Sequence, residues 1–268
     1  METPKTPPAH LTYIGGPTTM LDWRGLRLLT DPTFDPAGES YAMPTYTLRK
    51  TAGPALPPDA LGPVDVVLLS HDHHFDNLDR SGRALLARAT RVLTTQAGAE
   101  RLGGGAIGLA PWEHVDVSAP DGSVLRVTAT PARHGPAHAD RGPVIGFVLA
   151  FGDDPTNAIY VSGDTVWYEG VQEVSRRFSV RVAVLFMGAA RVRAAGDWPL
   201  TFTAIDAVEA ARAFGDATIV PLHYEGWEHF SESRTDIEDA FRKAGLERRI
   251  QWLSPGRAQV VVPPGGAP

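Results

Sequence analysis

The chain has 268 residues, 43% of them hydrophobic, which is enough to bury a sizeable core and excludes global disorder. Its formal net charge of −6, with no Lys/Arg block, gives no sign of a nucleic-acid partner. The absence of cysteine excludes disulfides, thiolate metal ligands and a cysteine nucleophile, so any metal must be held by His, Asp, Glu, Asn, backbone or water.

No apolar run approaches the length of a membrane span, and the N-terminus lacks the apolar core of a signal peptide, so the expected location is the cytoplasm. The expected organisation is a single domain over residues 1–268, with flexible ends at about 1–8 and 263–268. In chain order, residues 10–14 and 26–30 read as short strands. A Pro-rich stretch at 31–63 is long for a plain connection and reads as a functional loop or lid. The apolar run 64–69 reads as a buried strand, and 79–88 as a helix with Asp79 at its N-cap. Strands are expected at 91–95 and 123–130, then a strand pair at 144–151 and 158–162 joined by a turn-rich segment. Helices at 167–177, 203–214 and 234–243 alternate with strands at 182–187 and 217–222. Two β-rich halves, each flanked by helices, fit an α/β fold built as a four-layer αββα sandwich, with two mixed sheets inside and helices outside. Periodicity alone leaves other α/β layouts open.

The most informative stretch follows the 64–69 strand. His71-Asp72-His73-His74-Phe75-Asp76-Asn77-Leu78-Asp79 packs three histidines and three aspartates into nine residues. Imidazole and carboxylate are the ligands that borderline divalent ions such as Zn²⁺ prefer. Four other ligand-type residues stand at expected strand ends: Asp31, His134, Asp164 and His223. Each alone reads as readily as a turn or structural residue. Together with the cluster they have a shared reason to gather at one edge of two sheets.

On these residues the chain resembles the metallo-β-lactamase-fold hydrolase superfamily. Within it, the order and spacing are most similar to the branch of ascorbate-6-phosphate lactonase-like and phospholipase D-like metal-dependent hydrolases. The likeness runs from residues 26–32 to His223. The family pattern is His-x-His-x-Asp-His, then a lone His, a bridging Asp and a final His. The resemblance implies that His71, His73 and His134 hold a first metal, that Asp164 bridges, and that Asp76 and His223 bind a second. It also implies the αββα fold, a site at the sandwich edge, and a bridging water or hydroxide as nucleophile. The expected cofactor is Zn²⁺, one or two per chain, with Mn²⁺ or Fe²⁺ as alternatives.

The chain departs from the pattern inside the cluster. Phe75 stands where the motif has Asp, one extra residue is present, and Asn77 falls in the place of the last His. Asp76 aligns with the motif Asp if the loop bulges, and His74 is a substitute ligand for the missing imidazole. Asp76 is the candidate to orient or deprotonate the nucleophile. Asp31, Asn77, Tyr224 and His229 are candidates for supporting or pocket roles, as are residues 41–46, Asp72, Arg133, His138 and Trp167. Asp79 is expected to cap a helix rather than bind metal.

The expected function is a metal-dependent hydrolase that uses metal-bound hydroxide on an ester, lactone or phosphodiester of a small molecule. A β-lactamase or acyl-homoserine-lactonase-like activity shares the same site. From another class, Asn77 keeps open a non-catalytic metal-binding protein with a degenerate second site. Exposed helical faces leave a homo-oligomer open.

Overall fold

The computed structural model describes residues 7–261, so the ends expected to be flexible lie outside the described residues, apart from Pro7 and Pro8. The first sheet uses β1 (Ala9–Gly15), β2 (Thr18–Trp23), β3 (Leu26–Thr30), β6 (Val64–Leu68), β7 (Ala89–Thr95), β8 (Ile107–Leu109) and β15 (Ala258–Val261). The second uses β9 (His114–Ser118), β10 (Val124–Pro131), β11 (Ile145–Phe151), β12 (Asp154–Val161), β13 (Val180–Phe186) and β14 (Thr218–Leu222). A separate hairpin pairs β4 (Ser40–Ala42) with β5 (Thr47–Arg49). The helices are α1 (Arg80–Leu85), α2 (Gln96–Leu102), α3 (Glu169–Arg177), α4 (Ala204–Ala213) and α5 (Arg234–Lys243).

The spatial orders are β15-β1-β2-β3-β6-β7-β8 and β14-β13-β12-β11-β10-β9. Both sheets are mixed. β3, β6, β7 and β8 run parallel, as do β12, β13 and β14, while the remaining neighbours are antiparallel. The parallel strands are the near-continuous apolar ones, such as Val64–Leu68 and Val180–Phe186, because they are covered on both faces. Between the sheets, Leu28, Val66 and Leu68 share one core with Phe147, Phe151 and Phe186. Each such fully buried side chain contributes about 1.5–3 kcal/mol. On the outside, α3, α4 and α5 cover the second sheet through Val171, Val174, Ala207 and Phe241, packed with Tyr160, Leu185 and Ile219. Leu85 of α1 and Leu102 of α2 pack on the outer face of the first sheet with Leu29 and Val67. The result is the four-layer αββα sandwich. Among the described residues, no helix is long and apolar enough to cross a membrane.

Several elements differ from expectation. β2 lies between the two strands expected at the N-terminus, so Asp31 ends the third strand rather than the second. The 31–63 segment is not structureless: it carries the β4–β5 hairpin. α2 and the short strands β8, β9 and β15 had no distinct signal. The helices at 203–214 and 234–243 form within a residue of those bounds, and both open on a reciprocal capping box, Thr203 with Asp206 and Ser233 with Asp236.

The strands that matter for function all end at the same edge. β3 and β6 run together, as do β12 and β14, and β10 shares their direction because it is antiparallel to β11, itself antiparallel to β12. Their C-terminal ends therefore deliver Asp31, His71, His134, Asp164 and His223 to one rim. α1 is pressed so close to that rim that a Cβ on Gly82 would lie 1.8 Å from the Pro32 carbonyl oxygen. Gly82→Ala is expected to cost about 1–3 kcal/mol through this clash. A urea unfolding midpoint unchanged from the native protein would show that the two segments separate freely.

Candidate metal centre

β6 is a buried parallel strand whose last turn points residues 69–71 into the rim. Asp31 leaves β3 beside it with a left-handed φ of 25° and donates its backbone N–H to the Leu68 carbonyl at 3.1 Å. Its Oδ1 accepts from the Ser70 N–H at 2.9 Å and the Ser70 hydroxyl at 2.7 Å. Since that hydroxyl donates to Asp31, it must accept from His71 Nδ1, 2.9 Å away. The proton of His71 is thereby fixed on Nδ1, and the lone pair on Nε2 faces inward. His134, three residues past β10, is set the same way: Nδ1 donates to the Leu200 carbonyl at 2.9 Å, leaving Nε2 free.

In the cluster loop, Asp72 and His73 each bond to another segment of the chain, and Asp72 is buried. Asp72 is held by Arg101 of α2, whose Nε donates at 2.9 Å. His73 donates Nε2 to the Arg141 carbonyl at 3.0 Å and is only partly buried. His74 places Nδ1 3.0 Å from His71 Nε2. The rings of His74 and His134 stand 5.0 Å apart. His73 and His74 both stay within ligand reach of His71: the Arg141 carbonyl takes Nε2 of His73, while its Nδ1 is buried without a partner.

Asp164, two residues beyond Ser162 at the end of β12, straddles the centre. Its Oδ2 lies 3.5 Å from His134 Nε2 and 4.0 Å from His71 Nε2. Its Oδ1 lies 3.5 Å from His223 Nε2. His223 Nε2 is also 3.6 Å from Asp76 Oδ2, and His229 Nε2 approaches the same oxygen at 3.1 Å. His223 takes a left-handed backbone, φ 53°, and donates its N–H to the Gly16 carbonyl, an unusual conformation of the kind found at functional sites. Asn77 is fully buried and donates Nδ2 to Asp164 Oδ1 at 3.4 Å.

Burial drives His71 and His74 well below the ordinary imidazole range and His134 down to about 4, aided by neighbouring histidines, so these rings are neutral at pH 7. Burial, then the charges of Asp76 and Asp31, raises Asp164 well above the carboxylate range. Burial also raises Asp31, to about 8, against its bonds from Ser70. Burial would raise Asp76 as well, but the imidazoles of His223 and His229 outweigh it and hold the carboxyl well below its usual range.

The donor set fits a divalent cation. Among the described residues, Asp164 Oδ2, Asn77 Oδ1, His73 Nδ1 and His223 Nε2 are buried with no hydrogen-bond partner. Buried polar atoms are almost always partnered, so orphans gathered among ligand-type side chains suit an ion. Metal–ligand distances of 2.0–2.2 Å place neighbouring ligand atoms of a tetrahedral site about 3.3–3.6 Å apart. The 3.5 and 3.6 Å separations around Asp164, His134, His223 and Asp76 match that edge length. Ligand-type atoms gather within 4.8 Å in three groups: His71, His73 and His74; His71, His134 and Asp164; and Asp76, Asp164 and His223.

Other residues singled out in the sequence fall differently. Tyr224 packs into the helix-covered core, edge-on to Trp252 with ring centroids 5.4 Å apart, and does not line the pocket. Trp167 packs on the same core, and His138 stacks edge-on with Trp198. Arg133 lies over the Tyr168 ring. Tyr46 and His229 do line the small pocket above the centre, with His74, Asp76 and His134. Asp79 caps α1 through Gly82 N–H, and its other oxygen accepts from the Asp35 N–H and, at 2.8 Å, from Lys50 Nζ.

Lys50 is a residue that the sequence reading missed; a lone lysine in a Pro-rich stretch carries no motif signal. It is 4% exposed, and its ammonium also sits 5.3 Å over the Trp227 ring. It ties the β4–β5 hairpin and the 223–230 loop to the cluster loop. Lys50→Ala leaves a fully buried carboxylate without its cation and is expected to cost about 3–5 kcal/mol. A thermal melt would read this as a large fall in Tm, and an unchanged melt would show that the pair anchors nothing.

Comparison with known proteins agrees with this architecture. The chain is similar to a metal-dependent hydrolase of Desulforamulus reducens, 25% identical over 255 residues covering 92% of this chain and 97% of the relative. It is similar to another protein of that name from Salinibacter ruber, 27% identical over 256 residues, covering 90% and 95% of the two chains. Among solved structures, an isothiocyanate hydrolase from Delia radicum gut bacteria superposes with a TM-score of 0.78 at 24% identity, covering 94% of this chain and 99% of the other. A protein from Veillonella parvula described as a possible metal-dependent hydrolase superposes with a TM-score of 0.82 at 19% identity, covering 95% and 100%. These likenesses extend over nearly the whole length of both partners, and the family model for the beta-lactamase superfamily domain matches residues 26–224. The chain belongs to the β-lactamase superfamily and has the metallo-β-lactamase fold.

Proposed function

We propose that the chain is a metal-dependent hydrolase that cleaves an ester, lactone or phosphodiester bond of a small molecule. The observation that carries this reading is the buried ring of neutral imidazoles and unpartnered acidic oxygens around Asp164. His71, His74 and His134 would hold a first ion, Asp76 and His223 would hold a second, and Asp164 would serve both. His74 takes the place that the motif gives to its second histidine. Zn²⁺ suits this mixed nitrogen and oxygen set, with Mn²⁺ or Fe²⁺ as the alternatives. The chemistry such ions supply when bound is Lewis acidity and a water whose pKa falls to about 7.

The remaining roles belong to the side chains. Asp76 lies on the pocket floor, where its carboxylate orients the attacking water and takes its proton. His229, 3.1 Å from that carboxylate, fixes its orientation. Asp31 and Ser70 hold the tautomer of His71, and the Leu200 carbonyl holds that of His134. Asn77 donates to Asp164 and keeps one of its oxygens in place.

Metal per chain, measured by elemental analysis of protein purified without added metal, tests this directly. One or two equivalents are expected. His74→Ala should lose metal, while His73→Ala should retain it; the reverse pattern would return the second ligand to His73. Asp76→Ala should lower kcat by about 10²–10⁴-fold in a screen of generic esters, lactones and phosphodiesters. Full metal loading with no turnover of any of them would favour the non-catalytic reading.

A further inference from the structure

We propose that Arg141 and the Tyr46 hydroxyl form an anion-binding subsite at the mouth of the metal centre, so that the substrate carries a carboxylate or phosphate-type group beside the bond that is cleaved. The position of that bond rests on the hydrolase reading above; the subsite itself rests on this chain's own side chains.

The 135–143 loop places Arg141 firmly. Its N–H donates to the His134 carbonyl at 2.9 Å, and its carbonyl accepts from His73 Nε2 at 3.0 Å. The loop is thus hooked at residue 141 to two histidines of the site. Gly142 follows with φ 112°, and a Cβ there would lie 3.0 Å from His73 Nε2. The guanidinium reaches the pocket that Asp76, His74, His134 and His229 line. Nη2 lies 3.5 Å from the Tyr46 hydroxyl oxygen, and the guanidinium is 5.7 Å from the Tyr46 ring centre.

Arg141 differs from most arginines of the chain in what it lacks. Arg24, Arg27, Arg80, Arg101 and Arg126 each hold a carboxylate within 3 Å. Among the described residues, Arg141 has no carboxylate within ion-pair reach, although it is half-buried. A guanidinium that has lost part of its water and gained no anion is costly, and cations beside it would add repulsion. An anion lying between Arg141 and the centre resolves both. The Tyr46 hydroxyl can accept from Arg141 and still direct its own hydrogen to that anion.

The cavity shape agrees. The inner pocket holds about 10 Å³, room for a water-sized group, so the bulk of a ligand lies outside it. It shares Tyr46 and His229 with an outer cleft of about 440 Å³, whose walls carry Arg49, Arg191 and Arg193. That volume suits a small molecule. Arg49 pairs with Glu228 at 3.4 Å and Arg191 with Asp197 at 3.5 Å, so among the described residues Arg193 is the guanidinium of these walls with no carboxylate in reach, and the approach keeps an unpaired cation although the chain as a whole carries −6. Such a cleft steers anions inward.

The test is calorimetric titration of phenylphosphonate, and separately of benzoate, into zinc-loaded native protein, Arg141→Ala and Arg141→Lys, with zinc content and Tm measured for each. Arg141→Ala is expected to weaken at least one anion about 10- to 100-fold, as loss of a charge-assisted contact does. Zinc content should be unchanged and Arg141→Lys should recover part of the affinity. The anion that loses more identifies the group the subsite takes. Equal affinity in native protein and Arg141→Ala, or no binding by the native protein at tens of millimolar, would overturn the proposal. If the native protein takes up no metal, the metal-centre reading fails. The same titration on metal-free protein then decides the subsite by itself: Arg141-dependent binding supports it, and its absence overturns it.

Discussion

The structure depends on one electrostatic constraint: three carboxyl groups and four imidazoles are buried against one another at the rim where two sheets meet. Asp31, Asp76 and Asp164 share the site with His71, His74, His134 and His223, all nearly inaccessible to water. Without positive charge at the centre, ionising these buried carboxyls is unfavourable: burial first, and then neighbouring carboxylates, weaken Asp164 and Asp31 as acids. The protein's part is to hold these groups where a cation can satisfy them. Most of the surrounding hydrogen bonds serve that end by fixing tautomers and carboxylate orientation.

A second layer fastens the loops to the centre. Asp79 binds the start of α1, the Asp35 N–H and the Lys50 ammonium with its two oxygens. Asp35 in turn accepts from the Tyr41 hydroxyl and from Ser81. Lys50 and Tyr41 both pack with Trp227, so the hairpin, the cluster loop and the 223–230 loop form one supported wall. This is why a Pro-rich stretch without long secondary structure can be held in place: its buried polar side chains Asp35, Tyr41 and Lys50 are paired with one another or with α1 and Asp79.

Legibility in the sequence followed burial. The apolar runs at 64–69, 182–187 and 217–222, buried on both faces, announce their strands without reference to the rest of the chain. The helices at 203–214 and 234–243 carry their own caps. β8 and β9, by contrast, are short and mostly part-exposed; they exist because β7 and β10 offer free edges. No local pattern encodes such pairing. At the site, Asp31, Asp76, His134, Asp164 and His223 were all visible as charged or imidazole groups after strands. Lys50 and Arg141 were not, because an isolated basic residue in a loop rich in Pro, Gly or Ala looks the same whether it faces water or a pocket.

The sequence by itself determined the chemistry available and its approximate place. Its histidines and aspartates at strand ends, with no cysteine, point to a nitrogen and oxygen metal site. Tertiary structure alone decided which partner each histidine of the adjacent pair meets. His73 and His74 are equivalent in type and neighbours in sequence. Their fates separate because the Arg141 carbonyl, 68 residues away in the chain, accepts from one, and the lone pair of His71 faces the other. The same holds for Tyr224 and His229. Both follow His223 closely, yet one joins the helix-covered core and the other meets Asp76, since the direction of each side chain is set by what the folded chain packs against it.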